Sequence, residues 1–173
     1  MNNDIYDTYG GQFHESNKIH ETAIIYDNVI LGKNNTIGAY TVLGSNGEIR
    51  GVHQQDFKGN VLIGNNNIIS EHVTIQRPFE KDKKTIIGND NIIMAHSHLG
   101  HDVKIGNGCE ICTGVIIGGY AIVEDGAKIK LGATIRNRKR IGKSALVGLG
   151  AAVVKDIEEN SIVVGNPAKP IKK

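Results

Sequence analysis

Three histidines fall within six residues, His96, His98 and His101, and the last is followed directly by Asp102. A neutral imidazole, with an unperturbed pKa of about 6.5, takes a proton from an attacking hydroxyl or amine at neutral pH. A neighbouring acceptor, Asp102 or a backbone carbonyl, would fix its tautomer. The same side chains are also zinc ligands. A single histidine is more often a surface or packing residue; three beside a carboxylate stand above that background. Cys109 and Cys112, the only cysteines, have the Cys-x-x-Cys spacing of a redox centre or half a zinc ribbon. A ribbon needs a second pair, which the sequence lacks. Both cysteines also fall on positions of a regular repeat, and both are assigned to structure.

That repeat must position the histidines. From Ile87 to Val153 every sixth residue is a branched aliphatic: Ile87, Ile93, Leu99, Ile105, Ile111, Ile117, Val123, Ile129, Ile135, Ile141, Val147 and Val153. The residue four places on is usually small, as at Ser97, Val103, Cys109, Val115, Ala121, Ala127, Ala133, Ala145 and Ala151. Neither a helical nor a simple strand period produces this spacing. It describes a parallel β-solenoid in which one short strand and a turn take six residues, the aliphatic points inward and the small residue fills the corner. An earlier run, Ile19, Ile25, Leu31, Ile37, Leu43 and Ile49, has the same spacing; its phase then breaks, and Ile63, Ile69 and Ile75 resume the repeat. Irregular segments at 50–60 and 76–85 interrupt the repeat and read as loops thrown out from its corners. The expected organisation is a polar lead-in (1–18), a solenoid (19–160) carrying those two loops, and a final strand and tail (161–173). Loops held by a rigid solenoid are natural places for function.

Composition narrows the function classes. Net charge is +2 with both signs interspersed, which gives no argument for nucleic acid or an anionic membrane as a partner, and neither is expected. Aromatic residues make up 5% and tryptophan is absent, so the core is aliphatic. No apolar run approaches the roughly 18 residues of a membrane span, and the polar start is unlike a signal peptide. A cytoplasmic location is expected. The charge run 81–84 reads as solvated. The basic run 136–140 (RNRKR) reads as a solvated outer face, with a phosphate site for a donor or carrier protein as its functional alternative.

The hexad pattern resembles the hexapeptide-repeat family, which implies a left-handed β-helix and a homotrimer. Within it, the segment 91–107 (NIIMAHSHLGHDVKIGN), the loop QQDFKG (54–59) and the strand VTIQR (73–77) resemble the UDP-N-acetylglucosamine O-acyltransferases of lipid A synthesis. That resemblance implies acyl transfer from a thioester to a hydroxyl or amine of a nucleotide-linked sugar, in lipopolysaccharide or glycan biosynthesis. His101 matches the general base, with Asp102 beside it. Gly119 matches the oxyanion donor through its backbone N–H. Asp56 and Lys58, with Gln55 adjacent, match acceptor contacts, and His98 matches a second pocket histidine. His96 is grouped with the substrate contacts. Gln76 and Tyr120 stand where those enzymes carry further histidines. The co-substrate is an acyl carrier protein thioester or acetyl-CoA, with no bound cofactor and no metal. The loop and the histidine segment favour the carrier protein. The tail VVGNPAKPIKK (163–173), which resembles the close of acetyl-CoA-dependent sugar acetyltransferases, favours acetyl-CoA, as does the expectation that no helical domain follows Val154.

Two other classes compete. Carbonic anhydrases of the same fold bind zinc through a His-x4-His pair, the spacing of His96 and His101, plus a histidine from the preceding coil. Gln76 stands where that third ligand should fall. A non-catalytic solenoid scaffold is the remaining alternative, and the His98, His101, Asp102 and Asp56 set weighs against it.

Overall fold

Strand residues pair with partners eighteen positions on: Ile93 with Ile111, Leu99 with Ile117, Ile105 with Val123. Three hexads therefore make one coil, and the coil has three sides. The computed structural model describes residues 13–48, 50, 51, 53 and 57–171. Among them, strands of two to four residues stack into sheets of nine, seven and six strands, parallel throughout apart from one closing antiparallel pair. The architecture is a left-handed parallel β-helix, as expected. No helix among the described residues is long and apolar enough to cross a membrane.

Packing follows the repeat. All twelve inward aliphatics from Ile87 to Val153 are buried, as are the small corner residues from Ser97 to Ala151. Each buried aliphatic contributes roughly 1.5–3 kcal/mol of transfer free energy. Burial pushes the Cys109 thiol up to about 11, so it stays protonated and unreactive. Cys112 is likewise buried, and its thiol donates to Glu110 Oε1 at 3.3 Å.

A second internal ladder is polar. Asn17, Asn35, Asn67 and Asn91 occupy buried corner positions on successive coils. Each Oδ1 accepts the backbone N–H of the next residue in the stack, ending at Cys109 N, and each Nδ2 donates to a turn carbonyl. Asn67→Ala strands several of these buried groups at once. It is expected to cost about 2–4 kcal/mol, read as a lowered urea midpoint at unchanged slope. A loss under about 1 kcal/mol would show that the ladder contributes little.

The elements differ from expectation at their margins. Strand Val42–Ser45 ends short of the expected loop start and Asn60–Ile63 takes its last residue, so the first interruption runs over 46–59; Thr74–Gln76 and Lys84–Ile87 reach into the second, which shrinks to 77–83. Phe57, inside the first loop, is buried because it packs edge-on against Phe79 of the second. Residues 155–160, at the end of the expected solenoid, contain the buried Ile157, which bridges to Ile141 and continues the core four residues after Val153 instead of six. The tail forms a hairpin of Ile162–Val164 with Lys169–Pro170. Position Ile49 of the hexad lies outside the described residues.

Candidate active site

Both loops leave the seven-stranded sheet, after Ser45 and after Gln76, and both rejoin the six-stranded sheet, at Asn60 and Lys84. They therefore project from one edge of the prism. The next turns along that edge carry, in order, His101 and Asp102, then Gly119 and Tyr120, then Arg138. Asp102, Tyr120 and Arg138 take the left-handed corner conformation, with φ near +61° to +62°.

His101 and Asp102 are buried, and His101 Nδ1 lies 2.9 Å from Asp102 Oδ2. An ionised carboxylate can only accept, so Nδ1 carries the proton and Nε2 presents a lone pair. Gly119 lies against that nitrogen: a Cβ built there would be 2.6 Å from Nε2. The flanking turn bonds run from Gly118 N–H to Ile135 O and from Tyr120 N–H to His101 O, while the Gly119 N–H has no partner among the described residues. A proton acceptor and an unused backbone donor thus stand side by side. On the other side, Gly47 at the root of the first loop packs against the ring: a Cβ there would be 2.7 Å from Phe57 and 3.0 Å from His101 Cβ.

The loops brace each other. Lys58 N–H donates to Phe79 O at 3.0 Å, Gly59 N–H to Pro78 O at 3.2 Å, and Arg77 Nε to Gly59 O at 3.0 Å. Lys58 is exposed and held by this joint. Gln55 and Asp56 lie outside the described residues.

His98 stands on the outer face of the seven-stranded sheet, its Nδ1 2.7 Å from Thr74 Oγ1. Burial lowers its pKa, Glu48 opposes that, and the neighbouring His101 adds to it. His98, Thr74, Gln76, Ser45, Glu48 and Tyr26 line a polar cavity of about 400 Å³. Across the edge, Asp102, Tyr120, Ile86, Lys83, Lys84 and Lys104 line another of about 350 Å³. The lysines at 83 and 84, expected as merely solvated, border this cavity. The dyad lies between the two.

Within one chain His96 stands apart from the dyad. It is exposed on a different edge, between the nine- and seven-stranded sheets, where its ring stacks on His72 at 4.8 Å and His72 stacks on Tyr40 at 5.2 Å. Repeat phase explains the split. His96 comes three residues after the inward Ile93, as His72 follows Ile69, whereas His101 comes two after Leu99 at the next corner. Proximity in sequence grouped them; the hexad separates them.

Tyr120 meets the His101 ring edge-on, with centroids 4.9 Å apart and planes at 88°. Arg138 lies over the Tyr120 ring at 4.0 Å, a cation–π contact. The rest of the basic run is partly neutralised: Arg140 bonds Glu124, and Lys139 pairs with Asp156 at 3.6 Å. Sequence reasoning missed Phe57, Glu48 and Tyr26 as site neighbours. It also missed Thr85, a buried hydroxyl bonded to the dyad's backbone, whose only sequence signal is a polar residue in a small-corner position.

Residues 84–119 match the family model described as bacterial transferase hexapeptide (six repeats). The acyl-[acyl-carrier-protein]–UDP-N-acetylglucosamine O-acyltransferase of Pseudomonas paraeruginosa is 36% identical over 110 residues, covering 63% of this chain and 43% of that protein. The chain thus spans under half the length of that curated relative. Among solved structures, the UDP-N-acetylglucosamine acyltransferase of Bacteroides fragilis superposes with a TM-score of 0.85 at 31% identity, over 90% of this chain and 60% of that one. The enzyme of Francisella novicida gives 0.73 at 29% identity, over 91% and 69%.

Proposed function

We propose that this hexapeptide-repeat chain is an acyltransferase that moves an acyl group from a thioester to a hydroxyl or amine of a nucleotide-linked sugar. The observation that carries the reading is the juxtaposition of the Asp102-oriented His101 Nε2 with the Gly119 N–H, which has no partner among the described residues. The names of its relatives support the substrate class.

In this reading His101 Nε2 takes the proton of the acceptor group as its oxygen or nitrogen bonds to the thioester carbonyl carbon. Asp102 stabilises the resulting imidazolium through Nδ1. The Gly119 N–H donates to the carbonyl oxygen as negative charge develops on it, a contribution of the oxyanion-hole type. The intermediate collapses, the C–S bond breaks, and the leaving thiolate takes the proton from Nε2. Charge and protons balance without a cofactor.

The polar cavity holding His98 and Gln76 suits the sugar, and Lys58 of the braced loop, with Asp56 and Gln55 near it in sequence, supplies further acceptor contacts in this reading. The cavity beyond Tyr120, flanked by Lys83, Lys84 and Lys104, suits the phosphate-bearing arm of the donor. Carrier-protein and coenzyme A thioesters share that arm; the relatives' names favour the carrier protein. A homotrimer and a cytoplasmic setting complete the proposal. Within one chain His96 and His101 stand on different edges, so the zinc reading has no His-x4-His pair there.

The test is a coupled thiol-release assay of acetyl-CoA and acyl carrier protein thioesters against a panel of nucleotide sugars and amino-sugars. Release that requires both a thioester and one sugar is expected. Release from no pair would favour the scaffold.

A further inference from the structure

Thr85 is fully buried at the base of the second loop. Its hydroxyl donates to Gln76 O at 2.8 Å and accepts the Asp102 N–H at 3.0 Å. One oxygen therefore ties together the strand end that launches loop 77–83, the strand that receives it, and the peptide of the residue that orients His101. We propose that Thr85 is a positioning residue, whose hydroxyl sets the Asp102 carboxylate against His101 Nδ1.

Packing alone does not ask for a hydroxyl here. Thr85 occupies the corner position that the next two coils fill with Val103 and Ala121, both buried. Asp102 does ask for one. Its backbone is left-handed at φ +61°, a conformation that non-glycine residues hold only where their surroundings fix it. Tyr120 and Arg138, at the same left-handed corner of the next two coils, donate their N–H to backbone carbonyls of the coil before, His101 O and Gly119 O, whereas the Asp102 N–H donates to Thr85 Oγ1 instead. Without the oxygen the buried N–H is unsatisfied, and the peptide turns to find another acceptor. The carboxylate turns with it, because both belong to one residue. His101 then loses the acceptor that keeps the proton on Nδ1, and Nε2 is no longer reliably bare.

This inference rests on the acyltransferase reading for its kinetic consequence but not for its structural one, and the experiment separates them. Thr85→Val keeps shape and removes the hydroxyl. Thr41→Val is the matched control: Thr41 Oγ1 donates to Ser70 O at 2.6 Å and accepts Val73 N–H at 3.4 Å at an edge without the dyad. ¹⁵N-detected spectra of the His101 ring are expected to show the Nδ1-protonated tautomer in the unaltered protein and in Thr41→Val, and a tautomer mixture in Thr85→Val. Thiol release by Thr85→Val should fall about 10–100-fold in kcat, with KM within about twofold, as for a small misplacement of a reacting group. Thr85→Ser should restore both tautomer and rate. Should the valine variant fail to fold, Thr85→Ala removes the same oxygen with less volume. An unchanged His101 tautomer in the hydroxyl-free variant, or a mixture in Thr85→Ser, overturns the proposal. If the unaltered protein releases no thiol, the functional reading fails while the ring spectra still decide the role of Thr85.

Discussion

Replacing His101 by alanine is expected to lower thiol release by about a thousandfold in kcat, while the fold and the affinity for the sugar stay near those of the unaltered protein. General base catalysis is worth about 10²–10⁴-fold. The upper half of that range applies here because the neighbouring imidazole is engaged elsewhere: His98 is committed to Thr74 Oγ1 at 2.7 Å. His96 is on another edge. The variant should fold, since the edge remains braced by the Tyr120 N–H bond to the backbone carbonyl of residue 101 and by the joint between the two loops. Circular dichroism and the urea midpoint check that. A folded variant with full turnover would remove His101 from the mechanism, whatever the fate of the fold assignment.

How much of this was legible in the sequence depends on whether a feature is periodic. The twelve inward aliphatics repeat without a break, so coil, core and loop-bearing interruptions could be read directly. Lys139 shows where periodicity yields. It stands half-buried at a small-corner position and reaches Asp156 on the next coil, a local exchange of apolar filling for an ion pair. Ile157 shows another: two residues are deleted from a turn, and a search at a spacing of six passes over it. The asparagine ladder is periodic across coils but interrupted by loops of unequal length, so its members lie 18, 32 and 24 residues apart. The site was legible as a segment and not as a shape. His101 and Asp102 are adjacent, so their contact needs no fold. The meeting of Gly119 with Nε2, or of Thr85 with Asp102 N–H, needs coils in register, seventeen or eighteen residues apart in the chain.

Gly119→Ala makes that register testable, and a large effect is expected from one methyl group. The Cβ would stand 2.6 Å from His101 Nε2, 2.8 Å from Cε1 and 3.0 Å from Cδ2, closer than such contacts occur. Nothing else is that near, and the Gly119 backbone is not left-handed, so alanine adds no conformational strain there. The backbone N–H is retained. Stability should therefore fall by about 1–3 kcal/mol, the usual cost of overpacking, while the methyl group displaces the imidazole and covers the nitrogen that must meet the substrate. A loss of about 100-fold or more in kcat follows, since a misplacement near 1 Å at a reacting group costs on that order. Combining it with His101→Ala separates the two ways Gly119 can matter. If the methyl acts only by crowding the imidazole, the double variant is no slower than His101→Ala alone, the non-additive outcome expected of contacting residues. If the double variant is slower again by the full factor, Gly119 acts through the substrate carbonyl directly, and its N–H geometry is what the methyl disturbs.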